Sequence, residues 1–433
     1  MIEKLIILYF YIKTKYCRHF SSRAELELWQ KRKISKFLKK ICKQSPFYSA
    51  LYNGFADFNS EDKVINKQTM LENFDTLNTA KLKLNEVLDI AQKAEDSRDF
   101  SPKLKEFSVG LSSGTSGRRG VFVTSNFEQA MWCGIMLAKI LPNSILKKQK
   151  IAFFLRANNN LYETVNSANL IFKFFDLKVD YHKNLEDLNA FQPDLLISPP
   201  AMLEIIAKAQ NNKEISINPT KIISVADVLY EDKKAWMEGI FKQTIHQVYQ
   251  ATEGFIACTC KYGNLHLNED IMFIRKKYLD EKRFIPIITD FNRTTQPIIN
   301  YELNDILAED LTPCPCGSHF IRLSKIEGRC DDILKFDNVI IFPDFVVRTI
   351  LKSDPSIENF QVVQKNNKSI ILNLLPNISE TSKQQILEGL TNLFKEKNID
   401  ITIEMGIFEE ISDLTLKRKR VKSFVRENNN EKS

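Results

Sequence analysis

Residues 111–120 read Leu-Ser-Ser-Gly-Thr-Ser-Gly-Arg-Arg-Gly, the densest set of anion-gripping groups in the chain. Four of the thirteen glycines fall within residues 110–120. Glycine lets a backbone turn sharply and approach a ligand closely. Consecutive exposed N–H groups form an anion-binding concavity. Ser112, Ser113, Thr115 and Ser116 add hydroxyls, and Arg118 and Arg119 add fixed positive charge suited to phosphate oxygens. The chemistry this suggests is a loop that holds nucleotide phosphates. The competing reading is a glycine-rich surface hairpin. A Walker loop is excluded, because no Gly-Lys-Ser/Thr occurs. Val121-Phe122-Val123-Thr124-Ser125 reads as a strand, so the loop joins two strands.

Three further segments carry oxygen-rich chemistry. Tyr249-Gln250-Ala251-Thr252-Glu253-Gly254 follows a strand, where α/β folds place ligands. Glu253 offers an oxygen ligand to Mg²⁺, which rides on nucleotide phosphates. In Pro297-Ile298-Ile299-Asn300-Tyr301-Glu302-Leu303-Asn304-Asp305, the final carboxylate can accept two hydrogen bonds from a ribose diol. Gly328-Arg329-Cys330-Asp331-Asp332 offers an arginine for phosphate or sugar and an acidic turn. Each segment alone also reads as a polar turn at a strand end. Cys258, Cys260, His266, Cys314 and Cys316 are zinc's preferred ligand types, and a Cys₃His set closes a structural site. Reduced cysteines beside a hydrogen-bonded histidine are the alternative.

These groups need a scaffold, and the chain can build one. At 433 residues it holds two or three domains. Its 43% apolar and 27% charged content is that of ordinary globular protein. The net charge of +7 fits anionic small substrates and is too diffuse to argue for nucleic acid. Leu5–Ile12 is an apolar run too short to span a bilayer. Lys13, Lys15 and Arg18 stand where a signal-peptide cleavage site would be. The reading adopted is a buried first helix; a helix in contact with a membrane is the alternative. Eight cysteines without the spacing of a secreted framework point to the cytoplasm. Cys17, Cys42, Cys133 and Cys330 read as buried small apolar residues.

The hydrophobic pattern predicts helices over 23–52, 60–92, 126–142 (with an Asn cap), 200–210 and 231–243. Strands are predicted at 151–155, 195–197, 221–225 and 246–249, and residues 265–307 are strand-rich. This alternation gives an α/β layer structure with buried strands over 1–330. From 331 the pattern shortens to strands at 360–363, 369–374 and 399–403 around a helix at 380–397, a small α+β domain over 331–433.

Taken in order, the serine/glycine loop, the Tyr-x-x-Thr-Glu strand end, the Pro-x-Ile-x-Tyr-x-x-x-Asp segment and Gly-Arg-x-Asp-Asp resemble the adenylate-forming superfamily. More narrowly, the chain resembles its phenylacetate–CoA ligase branch, with the deazaflavin-coenzyme adenylating synthetases and capsule-cluster homologues. Ser45-Pro46-Phe47-Tyr48, Ser198-Pro199-Pro200 and Cys314-Pro315-Cys316-Gly317 also look like that branch. The resemblance runs from about residue 25 to about residue 425.

The resemblance implies a large nucleotide- and acyl-binding α/β domain and a small mobile α+β domain. It places Ser112, Ser113, Gly114, Thr115, Ser116, Gly117 and Arg118 at the ATP β- and γ-phosphates. Thr252 would meet the α-phosphate and Glu253 the Mg²⁺. Tyr249 and Asp227 would line the nucleotide site. Asp305 would hold the ribose, with Arg329 beside it, and Asp331 would be the hinge. Lys417 is the best match to the catalytic lysine. Zinc would sit on Cys258, His266, Cys314 and Cys316, with Cys260 the rival for the first place. Departures from the family are Arg118-Arg119 in place of Lys-Pro, Asn300 in place of an arginine, and no glycine before Lys417.

The implied activity is ATP-dependent adenylation of a small carboxylic acid, then transfer to CoA or another thiol. AMP transfer to a small-molecule hydroxyl is one alternative. A nucleotide-binding scaffold without turnover is another. Arg156, Asn158, Asn159, Asn160 and Tyr162 form a polar cluster, read as a polar turn or as recognition of a non-aryl acid.

Overall fold

The computed structural model describes residues 2–433 except 53–57, 98, 100–102, 113–118, 157–165, 356, 358, 410–412, 415–417 and 426–433. The chain divides into two compact units. One holds residues 1–303 and 308–325, the other 304–307 and 326–433.

The large unit is organised by five parallel strands in the spatial order Leu170–Asp176, Gln149–Leu155, Leu195–Ser198, Lys221–Ser224 and Ile245–Ala251. The helices Pro200–Asn211 and Glu231–Phe241 make two of the crossovers. Leu195–Ser198 is buried at every position, which is why Leu195, Leu196 and Ile197 read as an apolar run. After Ile245–Ala251 the chain reverses. Gly254–Thr259 pairs antiparallel with it, and Leu265–Leu267 follows antiparallel. Among the described residues the sheet has twelve strands.

The serine/glycine loop sits on a separate three-stranded sheet. Its flanking strands Phe107–Leu111 and Val121–Thr124 pair antiparallel, with Leu111 opposite Val121, as expected of a loop joining two strands. Ser112 N donates to Gly120 O at 2.8 Å, and Gly120 N donates to Ser112 Oγ at 2.7 Å, closing the loop's base.

Several local expectations change. The helix Asn126–Ile140 is capped by Ser125, not by an asparagine. Ser125 Oγ accepts from Glu128 N while Glu128 accepts from Ser125 N, a reciprocal capping box. The first helix, Ile2–Ile12, is buried on one face only. Ile7 and Tyr11 pack on the helix Asn126–Ile140, where Gly134 has no side chain to block the approach of the Ile7 carbonyl. Its other apolar face is exposed, so the buried-helix expectation holds for half of it. Cys133 is buried, but Cys42 and Cys330 are half-buried and Cys17 is exposed.

The small unit is α+β. Its four-stranded sheet runs in the order Thr402–Ile407, Ser369–Leu374, Phe360–Asn366 and Val421–Ser423, and Leu334–Phe336 pairs separately with Val339–Ile341. The helices Pro343–Ser353 and Glu380–Glu396 supply Val346, Ile350, Leu390 and Phe394 to a core shared with Phe360, Val362 and Leu372.

Candidate active site

Thr252 and Glu253 form the two-residue turn between Ile245–Ala251 and Gly254–Thr259. The turn therefore stands at the carboxyl end of the last parallel strand, where open α/β sheets bind ligands. Thr252 Oγ1 donates to Glu253 Oε2 at 2.8 Å. Tyr301 Oη, itself buried, donates to Glu253 Oε1 at 3.2 Å. Arg293 Nη1 donates to Thr252 O at 3.0 Å. The buried Nε of Arg293 has no hydrogen-bond partner among the described residues.

Glu128 anchors the segment that presents Arg293. It accepts from Thr295 N at 2.8 Å and from Ser125 N at 2.8 Å. Burial raises the Glu128 carboxyl, but the Arg293 charge and these amide bonds outweigh it, so the group lies below its ordinary value.

Beside the turn opens a cavity of about 370 Å³. Ile135, Phe153, Phe172, Ile197, Ile223 and Phe255 give it apolar walls, and Thr252, Asp290 and Arg293 are among its polar groups. Burial pushes the Asp290 carboxyl up to about 6, although Asn292 N donates to its Oδ1 at 2.8 Å.

Arg119 does not serve as a free phosphate ligand. It grips Glu95 with two nitrogens at 2.7 and 2.5 Å, and its Nε donates to Ser112 O at 3.0 Å. It pins the base of the loop instead. Ser113, Gly114, Thr115, Ser116, Gly117 and Arg118 lie outside the described residues, as do Lys417, Asn158, Asn159, Asn160 and Tyr162. Arg156 lies 3.7 Å from Glu95.

Asp227 follows Ala226, whose φ is +70°. Its Oδ1 accepts from Val228 N at 2.9 Å, and the preceding Val225 and Ala226 line the cavity. Val248 and Gln250, the strand neighbours of Tyr249, also line the cavity. Asn300 is fully buried, with its amide donating to Tyr52 Oη at 2.9 Å and to Phe58 O. It is a packing residue of the large unit.

Within the small unit, Arg329 Nε lies 3.8 Å from Asp305 Oδ1, bringing together the two residues assigned to sugar recognition. Asn304 Nδ2 donates to Asp331. Lys419 Nζ reaches both carboxylate oxygens of Asp332 at 2.7 Å. Burial nevertheless holds the Asp332 carboxyl above its ordinary value.

Cys260, His266, Cys314 and Cys316 converge, with all four ligand atoms within 4.8 Å of one another. Cys260 Sγ and Cys314 Sγ are 3.8 Å apart, and Cys316 Sγ is 3.5 Å from His266 Nε2. Tetrahedral zinc with its usual bond lengths requires edges of about 3.8 Å between two sulfurs and about 3.6 Å between sulfur and nitrogen. His266 Nδ1 faces Phe320 O at 3.2 Å, which leaves Nε2 to act as a ligand. Burial raises the Cys314 thiol, but hydrogen bonds from the Cys316 amide, His266 and Asn264 bring it down to about 6. Cys258 is corrected out of the set. Its Sγ turns to Asn268 Oδ1 at 3.3 Å, and burial raises its thiol. Cys260, two residues on at the strand's end, takes its place.

No family model matches the chain. Protein CapK of Staphylococcus aureus is 23% identical over 414 residues, covering 88% of this chain and 86% of CapK. The phenylacetate-coenzyme A ligase of Thermus thermophilus is 20% identical over 199 residues, 42% of this chain and 44% of that enzyme. The solved structure of 2-hydroxyisobutyryl-CoA ligase in complex with R3-HIB-AMP superposes with a TM-score of 0.61 at 12% identity, covering 96% of this chain and 88% of that one. The chain has the fold of this acyl-CoA ligase. The anthranilate CoA ligase AuaEII, solved with anthranoyl-AMP, shares the fold at a TM-score of 0.52 and 12% identity over 73% of this chain and 66% of that one.

The site contains groups that the sequence motifs alone do not single out. Arg293, Asp290 and Glu128 come from segments without a recognisable pattern. Tyr301 lies in the Pro-x-Ile-x-Tyr segment, yet its contact with Glu253 spans 48 residues. A buried tyrosine whose hydroxyl needs a partner was the one available signal.

Proposed function

We propose that the chain activates a carboxylic acid with Mg·ATP and passes the acyl group to CoA or another thiol. The observation that carries this is the Thr252–Glu253 turn, buttressed by Tyr301 and Arg293, at the wall of an apolar cavity. In the first step a substrate carboxylate oxygen attacks the ATP α-phosphorus. The bond to the bridging β-phosphate oxygen breaks, and pyrophosphate leaves. In the second step a thiolate attacks the acyl carbon, AMP leaves, and the thiol proton goes to solvent. Such chemistry needs charge neutralisation and in-line placement more than a protein nucleophile.

The residues fit these parts. Glu253 offers a carboxylate to the Mg²⁺ that neutralises the phosphates, and Thr252 offers a hydroxyl to the α-phosphate. Ser112 and Ser113–Arg118 are assigned to the β- and γ-phosphates, Asp305 with Arg329 to the ribose, and Lys417 to the charge that develops at the α-phosphate. The cavity's walls favour an acid with an apolar body: an engineered cavity of roughly 150 Å³ already accepts benzene, and this one is more than twice that size. Acid-dependent release of pyrophosphate from ATP tests the reading.

Cys260, His266, Cys314 and Cys316 have the donor set and spacing of a closed structural zinc site. The ion would cross-link the strands and loop that carry these residues and takes no part in the reaction. Zinc analysis of the purified protein tests this.

A further inference from the structure

The net charge of the chain is concentrated in one place. Residues 1–43 carry twelve lysines and arginines against three glutamates, a balance of +9, more than the +7 of the whole chain. The remainder is slightly acidic. Arg23 pairs with Glu269 and Arg18 feels the charge of Asp270, and the other cations of this stretch form a local basic region on the first two long helices.

The first of these helices has two opposite faces. Ile7, Tyr11 and Thr14 are buried, and the packing of Ile7 and Tyr11 over Gly134 fixes the helix to the large unit. At 100° per residue, Ile2, Leu5, Tyr9, Ile12 and Tyr16 fall on the opposite side. They are 45–74% exposed. Large apolar side chains at a 3-4-3-4 spacing, held outward on a docked helix, form a stripe and not the scattered exposure normal for a surface.

Cations gather at the carboxyl end of this stripe. Lys13 Nζ lies over the Tyr9 ring, 5.2 Å from its centroid. From the helix Arg23–Cys42, Lys33 Nζ lies 5.5 Å from the Trp29 ring centroid. Burial, followed by the charges of Lys13, Arg18 and Lys36, holds the Lys33 ammonium below its ordinary value, so the four cations crowd one another. Crowded like charges call for an anionic partner.

We propose that this face docks on an anionic lipid membrane, with the Ile2–Ile12 helix lying in the interface. An apolar stripe flanked by lysines and tyrosines matches the two demands of an interfacial helix: acyl-chain contact and attraction to charged headgroups. Tyrosine is favoured at the boundary because its ring is apolar and its hydroxyl stays wet. Among the described residues no helix is long and apolar enough to cross a membrane, and eleven residues reach only about 16 Å. The helix lies on the surface and does not span. A second copy of the chain is the weaker occupant. An isologous pairing would set the basic cluster near its own copy, and like charges brought together repel.

The test is co-sedimentation of the purified full chain with vesicles of phosphatidylcholine alone or mixed with phosphatidylglycerol. Binding to the mixed vesicles, at least about tenfold stronger than to the neutral ones, is expected. It should weaken as salt rises from about 0.1 M to about 0.5 M, because screening shortens the reach of the lysines. Leu5→Glu with Ile12→Glu should abolish binding while thermal unfolding stays unchanged. Lys33→Glu with Lys36→Glu, which leaves the first helix intact, should also cut binding at least about tenfold, and decides the matter if the first variant does not fold. No binding of the parent chain to anionic vesicles overturns the proposal. So does binding that the lysine variant retains in full, and so does a dimer that Leu5→Glu dissociates in a protein that ignores vesicles.

Discussion

Tyr301 Oη donates a hydrogen bond to Glu253 Oε1 at 3.2 Å, fixing a turn carboxylate from the opposite end of a 48-residue stretch of chain. Thr252 Oγ1 holds the other oxygen of the same carboxylate at 2.8 Å. The carboxylate proposed to hold Mg²⁺ is thus oriented through both of its oxygens. Removing the phenol should loosen it. Hydrogen bonds to charged groups contribute about 1.5–3 kcal/mol, so Tyr301→Phe should lower kcat/KM for Mg·ATP by roughly tenfold or more, and Glu253→Gln should abolish turnover. Unchanged Mg·ATP kinetics in Tyr301→Phe would separate this contact from the reaction.

The four-residue metal site makes a prediction at the level of single sulfurs. The purified protein should contain about one zinc per chain, and chelation should lower its melting temperature, because the metal's binding energy counts toward folding. Cys260→Ser should lose the ion. Cys258→Ser should keep it, since that thiol faces Asn268. The opposite pattern would restore Cys258 to the ligand set.

Asp290 should leave a mark on the pH dependence of stability. Its folded pKa of about 6 lies above its ordinary value of 3.8. The folded state therefore keeps a proton that the unfolded chain has released. The stability from this group is fully present below about pH 4 and is lost as the pH rises through about 6. The swing is about 3 kcal/mol at most. Asp290→Asn cannot ionise, so relative to the parent it should gain stability between pH 4 and pH 7. Denaturant midpoints that run parallel for the two proteins across this range would show that Asp290 does not titrate as described.

Two lysines of the basic run should behave oppositely. Lys419 is paired with the buried Asp332. Lys419→Ala should cost on the order of 1–3 kcal/mol in stability by leaving that carboxylate alone. Lys417→Ala should leave the melting temperature unchanged while abolishing acid-dependent pyrophosphate release. If Lys419→Ala melts like the parent and Lys417→Ala does not, the two roles are interchanged.

Much of this architecture was legible in the sequence because burial imposes strong patterns. The strands at 151–155 and 195–197 are apolar runs, and Ile222, Ile223 and Val225 dominate 221–225, because both faces are covered. The glycine-rich loop was legible as a strand-to-strand connection because Val121–Thr124 has strand character. Contacts set by register were not. Cys258 lies in the strand Gly254–Thr259 and Cys260 just beyond its end at the same residue parity, and sequence does not show that Asn268 faces the first of them. Arg119 looked like a phosphate ligand because sequence does not show Glu95 beside it. In the first helix a run of apolar residues conceals which of its two faces finds a partner, and only the face of Ile7 and Tyr11 does. Its exposed stripe depends on what the helix Asn126–Ile140 leaves uncovered.

ATP–pyrophosphate exchange across a panel of carboxylic acids tests the central claim most directly. Exchange should require both Mg²⁺ and an acid, should favour acids with an apolar body large enough for the cavity beside Thr252, and should vanish in Glu253→Gln. Exchange that proceeds equally without any acid, or a metal-replete folded protein that binds ATP yet exchanges nothing with any acid in the panel, would contradict it.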